Sequence, residues 1–212
     1  MLAATNECIM LTTKGRNFPS LSTKRLVLRA MTPRDATAFG ALLSIPDVTR
    51  HSNWPDKPSK VQSERYARWM VKLYASGKGC AWIIEDRKSK SLIGAIRFNS
   101  FERKWNSGEI GYELHPEFWG KGLMSEAVSV TMACGHETFG LNRIEAWTLP
   151  GNPASDRVLE KSGFRYEGTL RQKAWFKGAY HDFRMFGRIA GDPLDEQTTD
   201  NTDSQQRNGA SA

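Results

Sequence analysis

The residues of this chain whose types and spacing could do chemistry are two carboxylates and a glycine turn. Glu109 and Glu113 lie four apart in Glu109-Ile110-Gly111-Tyr112-Glu113-Leu114. Alternation puts Ile110, Tyr112 and Leu114 on one face and Glu109, Gly111 and Glu113 on the other, which predicts a strand. His115-Pro116 turns the chain into Glu117-Phe118-Trp119-Gly120-Lys121-Gly122. From Leu123, apolar residues recur at Ala127, Val130 and Cys134, one face of a helix. A strand, a glycine turn and a helix start leave unpaired N–H groups pointing one way, and the helix dipole adds partial positive charge there. Such a turn can hold an anion such as a pyrophosphate, or it can serve only as a tight connection. The pattern G-x-x-x-x-G-K-[ST] is absent, and Ser125 stands where a dinucleotide fingerprint needs its third glycine. A nucleoside triphosphate in a P-loop and NAD are therefore not the expected anions. A carboxylate on a ligand-covered face loses water, which raises its pKa toward a value useful to a general base.

Those residues carry a resemblance. Trp119-Gly120-Lys121-Gly122-Leu123-Met124-x-Glu126-Ala127, after a Glu-Ile-Gly-Tyr strand, resembles motif A of the GNAT-type N-acetyltransferases, and within them the RimJ/RimL-like branch that acetylates ribosomal proteins. The family pattern is Q/R-x-x-G-x-G/A, with Glu117 here at the Gln/Arg position. Two further pieces follow in order: Asn152-x-x-Ser155 leading to Ser162-Gly163-Phe164, and Lys177-Gly178-x-Tyr180-x-Asp182. The resemblance covers roughly residues 21–189.

What it implies is a GNAT fold, α/β in class, with a central mixed, mostly antiparallel sheet of about seven strands flanked by helices. It further implies acetyl-CoA as co-substrate, no metal, and direct transfer to a primary amine. Leu114, Trp119, Gly120, Lys121, Gly122, Leu123, Met124, Asn152 and Ser155 would bind the cofactor. Many family members place a Tyr acid in the helix after the fifth strand, where this chain has Leu159. The RimJ/RimL-like branch has a Ser, matching Ser155, whose hydroxyl would assist the leaving sulfur. Glu109, or Glu113, would be the base, working through water, unless it is a structural acid paired with Arg or Lys. Trp54 and Tyr180 are candidate acceptor contacts. An N-terminal α-amine titrates near ~7.7–8.0 and a Lys amine near ~10.4, so the former is easier to present uncharged. A protein N-terminus is the expected acceptor. A small-molecule amine (polyamine, aminoglycoside or amino acid) and a non-catalytic acyl-CoA-binding module remain alternatives.

The elements that must position these residues can be read in order. Residues 1–20 lack periodicity and include Gly15, Asn17 and Pro19, a loose arm. Lys24–Ala30 alternates as a first strand. Thr32-Pro33-Arg34-Asp35 starts a helix running to about Ser44, and residues 45–58 form a loop. Ser59-x-x-Gln62 is a capping box opening a helix with Tyr66, Trp69, Met70 and Leu73 on one face, closed at Gly77 and Gly79. Strands follow at Ala81–Asp86 and Leu92–Phe101 about a polar turn, then the central strand and helix, then a strand at Ile144–Leu149. Asn152 caps a short helix that ends at Ser162-Gly163. Phe164–Phe176 and Tyr180–Ile189 form a hairpin through Lys177-Gly178.

Composition sets the outer bounds. The chain has 212 residues, 39% apolar and 25% charged, enough for one domain with a full core. No apolar run reaches the ~20 residues of a membrane span, and no export signal is visible, so the expected location is the cytoplasm. Cys8, Cys80 and Cys134 are odd in number and far apart, as free thiols in a reducing compartment would be. Residues 191–212 carry five acids against Arg207 and read as a disordered acidic tail. The remainder carries 29 bases and 18 acids. That positive field suits an acyl-CoA or a ribosome surface, or is a generic solubility charge. A monomer and a homodimer are both compatible with this composition.

Overall fold

The computed structural model describes residues 17–192; the loose arm up to residue 16 and the acidic tail from residue 193 lie outside the described residues. Eight strands form one sheet: β1 (Leu21–Ser22), β2 (Leu26–Ala30), β3 (Cys80–Asp86), β4 (Leu92–Glu102), β5 (Ser107–Leu114), β6 (Arg143–Thr148), β7 (Arg165–Phe176) and β8 (Ala179–Ile189). Their order is β1-β2-β3-β4-β5-β6-β8-β7. Every neighbouring pair is antiparallel except β5 and β6, which are parallel. The strand beyond the expected seven is β1, whose two residues pair with Leu28 and Val27 and are too few to show a period. Residues 17–20, expected in the arm, are docked. Phe18 packs edge-on against Tyr74 and Trp82, and the Pro19 carbonyl accepts the Trp82 indole N–H at 2.6 Å. A fully buried Trp needs such a partner for its N–H.

Helices cover both faces. On one lie α1 (Ala36–Leu43) and α3 (Lys60–Ala75), packed through Phe39, Leu43, Met70 and Leu73 onto Ile83 and Ala95. Ser59 and Gln62 close the expected capping box on α3, the Ser59 amide donating to Gln62 Oε1 at 2.8 Å. Helix α1 opens as a 3-10 turn over Pro33–Asp35, and α2 (Pro46–Thr49) is a short turn inside the expected loop. The other face carries α4 (Leu123–Ala133) and α5 (Pro153–Lys161), where Leu123, Ala127, Val128 and Leu159 join Leu28, Trp82, Phe98 and Ile110 in the larger core. A π-helical turn, Cys134–Thr138, ends α4. Gly135 sits within it because a Cβ there would come 2.7 Å from Phe98 and Ile144. Cys80 and Cys134 are buried free thiols, and burial pushes both up, Cys134 to about 11. Neither is a nucleophile at neutral pH.

Candidate active site

The site exists because two parallel strands part company. Strands β5 and β6 pair only from Ser107 with Arg143 to Glu109 with Glu145, and diverge beyond. From Ile110 to Leu114 the β5 edge facing β6 has no strand beside it, leaving a wedge. Both α4 and α5 begin at its mouth. A cavity of about 1180 Å³ runs through it, lined by Gly120, Gly122, Leu123 and Met124 on one side and by Trp54, Tyr66 and Trp69 on the other. Glu109, Gly111 and Glu113 also line it, as do Leu114, Trp119, Asn152 and Ser155.

At the mouth, Gly120 and Gly122 adopt φ of 72° and 70°, the left-handed region that only glycine enters without strain. A Cβ on Gly120 would meet nothing within 4 Å, so conformation, not room, calls for glycine. Trp119 donates its amide to Pro116 and its indole N–H to the Leu114 carbonyl at 2.8 Å. The amides of Gly120 to Ser125 have no acceptor among the described residues, and intrahelical bonding begins with Glu126 to Gly122 at 3.1 Å. This is the unpaired donor row an anion needs. Lys121 lies outside the cavity lining: its carbonyl accepts from Arg25 at 2.8 Å, and its ammonium sits over the Phe118 ring. Glu126 braces the turn from behind, accepting from Thr23 and from the Arg25 guanidinium at 2.7 Å. Burial alone would raise its carboxyl, but those donors hold it below the usual range.

Across the wedge, Asn152 Oδ1 accepts the Ser155 amide at 3.3 Å and caps α5. Ser155 lines the cavity, and its hydroxyl takes no part in the cap. Tyr112 reaches over from β5 and donates its hydroxyl to the Ser155 carbonyl at 3.4 Å, and burial pushes its phenol up. Alternation alone reads Tyr112 as a core residue; its polar tip is what bridges the fork.

The floor is a chain of polar contacts. Glu113 accepts the Trp54 indole N–H on one oxygen and Arg97 Nη1 at 2.7 Å on the other. Arg97 Nε donates to Asn99 Oδ1 at 2.7 Å, and Asn99 Nδ2 donates to Glu109 Oε1 at 2.9 Å. Arg97 and Glu113 are buried, 6% and 5% exposed. Glu113 thus has both oxygens engaged, the pairing with Arg that a structural acid would show. Glu109 has one, and its Oε2 has no partner among the described residues. Arg97 and Asn99 were not among the residues singled out from sequence, because their importance depends on which strand pairs with β5.

Trp54 is both wall and core. It is 8% exposed, packs against Phe39, Tyr66 and Trp69, and lies under the Arg97 guanidinium at 5.0 Å. Its loop is pinned from the opposite edge of the sheet. Lys177, at the β7–β8 turn, donates to the Thr49 carbonyl and pairs with Asp56, each at 2.6 Å. His51 lines the cavity beside it, and burial, then Arg50 and Lys177, push its imidazole below the usual value. Tyr180 is not brought to the cavity; it is 62% exposed, with its ring against Trp175. No cluster of three or more His, Cys, Asp or Glu among the described residues could hold a metal, and no helix among them is long and apolar enough to cross a membrane.

This geometry agrees with comparison to known proteins. Residues 25–165 match the family model described as "Acetyltransferase (GNAT) domain". The uncharacterized N-acetyltransferase YoaA of Bacillus subtilis (strain 168) is 39% identical over 172 residues, 81% of this chain and 97% of that protein. The ribosomal-protein-serine acetyltransferase of Escherichia coli (strain K12) is 32% identical over 139 residues, 65% of this chain and 76% of that protein. Among solved structures, RimL, the ribosomal L7/L12 α-N-protein acetyltransferase in complex with coenzyme A, superposes with a TM-score of 0.74 at 24% identity, covering 81% of this chain and 98% of that one. With a forked β5–β6 pair, a glycine turn at the head of α4 and a family match spanning most of the fold, this chain belongs to the GNAT acetyltransferases.

Proposed function

We propose that the protein moves the acetyl group of acetyl-CoA to a primary amine, and that the amine is the N-terminal α-amine of a protein. The observation that carries this is the continuity of one cavity, from the free amides at Gly120–Ser125 through the β5–β6 fork to the carboxylate floor under Trp54 and Tyr66. The names of the ribosomal-protein acetyltransferases among its relatives support a protein acceptor.

The residues fit the co-substrate: the amides of Gly120 and of Gly122 to Ser125, without acceptors among the described residues, suit a pyrophosphate, and the open β5 edge offers backbone groups to an amide-bearing arm. Acetyl-CoA, when bound, supplies a thioester activated toward amines. The chain's residues do the rest. The turn fixes the anion, Tyr112 and Asn152 fix α5 across the fork, and Ser155 brings a hydroxyl that can donate to the leaving sulfur. Glu109, through Oε2 and a water, receives the proton that the amine nitrogen gives up as its new bond to carbon forms. One proton leaves nitrogen and one arrives at sulfur, so the exchange balances. Positioning supplies much of the rate, with acid–base groups adding ~10²–10⁴-fold.

The test is thiol release from acetyl-CoA with a panel of ribosomal-protein N-terminal peptides beside spermidine, an aminoglycoside and free amino acids. Peptides with a free α-amine should be the best acceptors and their N-acetylated forms inert. Faster turnover of a small amine than of every peptide would overturn the protein-acceptor reading, and thiol release with no amine would overturn transfer itself.

A further inference from the structure

The polar floor contains a residue that the reaction as described does not use. Asn99 stands at the one irregularity in the β4–β5 ladder: Phe98 pairs with Ile110 and Ser100 with Glu109, leaving Asn99 as the extra residue of a bulge. Two residues on from Arg97, Asn99 shares its face by ordinary alternation, and the bulge leaves it unpaired in the ladder beside the Ser100–Glu109 pair. Gly111, opposite Arg97 on β5, makes the space. A Cβ there would lie 3.0 Å from Asn99 Nδ2 and 3.2 Å from Arg97 Nη2. Both ends of the Asn99 amide are engaged, Oδ1 by Arg97 and Nδ2 by Glu109, so the amide has one orientation and Glu109 meets a donor on one oxygen only.

We infer that Asn99 is a positioning residue: it holds Glu109 by Oε1, with Arg97 fixing the amide from behind, so that Oε2 is presented to the acceptor. This rests on the reading of Glu109 as base. The network also ties that oxygen to the acceptor wall, since Arg97 binds Glu113 and Glu113 binds the Trp54 indole. Of the charged groups lining or flanking the cavity, Glu113 is matched by Arg97 and Glu145 on β6 by Arg143 at 2.7 Å; Arg65 stands on α3, Asp47, Arg50 and His51 on α2 and the loop after it, and Arg157 and Lys161 on α5.

The experiment is a double-mutant cycle with Asn99→Asp and Glu109→Gln. Asn99→Asp keeps an acceptor for Arg97, replaces the donor to Glu109 with a second carboxylate, and changes shape little. It should lower kcat/KM about tenfold for a peptide acceptor, leave KM for acetyl-CoA in place, and move the acid limb of the pH–rate profile upward, because a like charge disfavours the ionised base. The double variant should be no slower than Glu109→Gln alone, since Asn99 acts only through Glu109. Additive losses, or an unmoved acid limb at full folding by melting curve, would overturn the positioning role. Wild-type turnover in Glu109→Gln would instead remove Glu109 as base, and the proposal with it. Should Asn99→Asp melt early, Asn99→Ser supplies the same cycle with a smaller side chain.

Discussion

At the scale of single residues, the two strand acids that look equivalent in the sequence have separate occupations. Glu113 lies buried between Arg97 and Trp54 with both oxygens engaged, while Glu109 has one engaged and Oε2 without a partner among the described residues. Removing one partner of a buried ion pair typically costs ~3–5 kcal/mol. We expect Glu113→Gln to lower the melting temperature by roughly 6–20 °C; Glu109→Gln should melt near wild type and lose turnover. Calorimetry and steady-state kinetics on the two variants check this, and equal melting losses would sink the division. Ser155 has a comparably clean signature. The α5 cap is made by the Asn152 side chain and the Ser155 backbone, so Ser155→Ala leaves the cap standing. It should lower kcat and kcat/KM together by about ten- to a hundredfold, with KM for acetyl-CoA unmoved, as expected of a group that acts on developing charge at sulfur. A stably folded Ser155→Ala with wild-type turnover would remove Ser155 from the chemistry. The Asn152 cap on α5 was legible in the sequence because its reach to the Ser155 amide is local. Asn99 was not, because its meaning is set by a partner ten residues away across a bulge.

At the scale of elements, the fork between β5 and β6 organises everything. Its head is the Gly120–Gly122 turn, whose left-handed backbone disfavours any side chain by ~1–2 kcal/mol per residue. Gly122→Val should weaken acetyl-CoA binding at least tenfold by calorimetry while the far-UV spectrum stays native; unchanged affinity would mean the turn is only a connection. The local elements were readable because their signals are local: the Ser59/Gln62 box, Pro153 after Asn152, and Lys177-Gly178, whose φ of 50° and 78° make the tight hairpin turn. What failed to show were elements without a period, the two-residue β1 and the four-residue α2, and contacts between distant segments. The Lys177 clamp on the loop of Thr49 and Asp56 joins residues more than a hundred positions apart, and no spacing rule reports it.

At the scale of the whole molecule, the chain carries a formal net charge of +7. Such a field speeds the encounter with acidic partners and is screened as the Debye length falls from ~30 Å at 0.01 M salt to ~8 Å at 0.15 M. With acetyl-CoA saturating, kcat/KM for an acidic peptide acceptor should fall several-fold over that range, and for a neutral peptide of the same first residue it should hold. A neutral peptide falling in parallel would place the salt effect elsewhere. The fold class, the glycine turn and α5 were all carried by the sequence because they lie in continuous motifs. The joining of the cavity floor was not: Trp54 and Glu109 could be named singly, but their link through Arg97, Asn99 and Glu113 joins segments that only the sheet brings together.

Gly111 carries a consequence for substitution. Its missing side chain lets Arg97 and Asn99 cross the face of β5, so the three positions constrain one another through space. With Arg97 and Asn99 in place, a side chain at 111 is crowded by both, and trading Asn99 alone for a smaller residue still leaves the Arg97 guanidinium 3.2 Å from a Cβ there. The glycine in Glu-Ile-Gly-Tyr is therefore tied to the Arg97–Asn99–Glu109 chain, separable from the downstream glycines, which a left-handed backbone calls for.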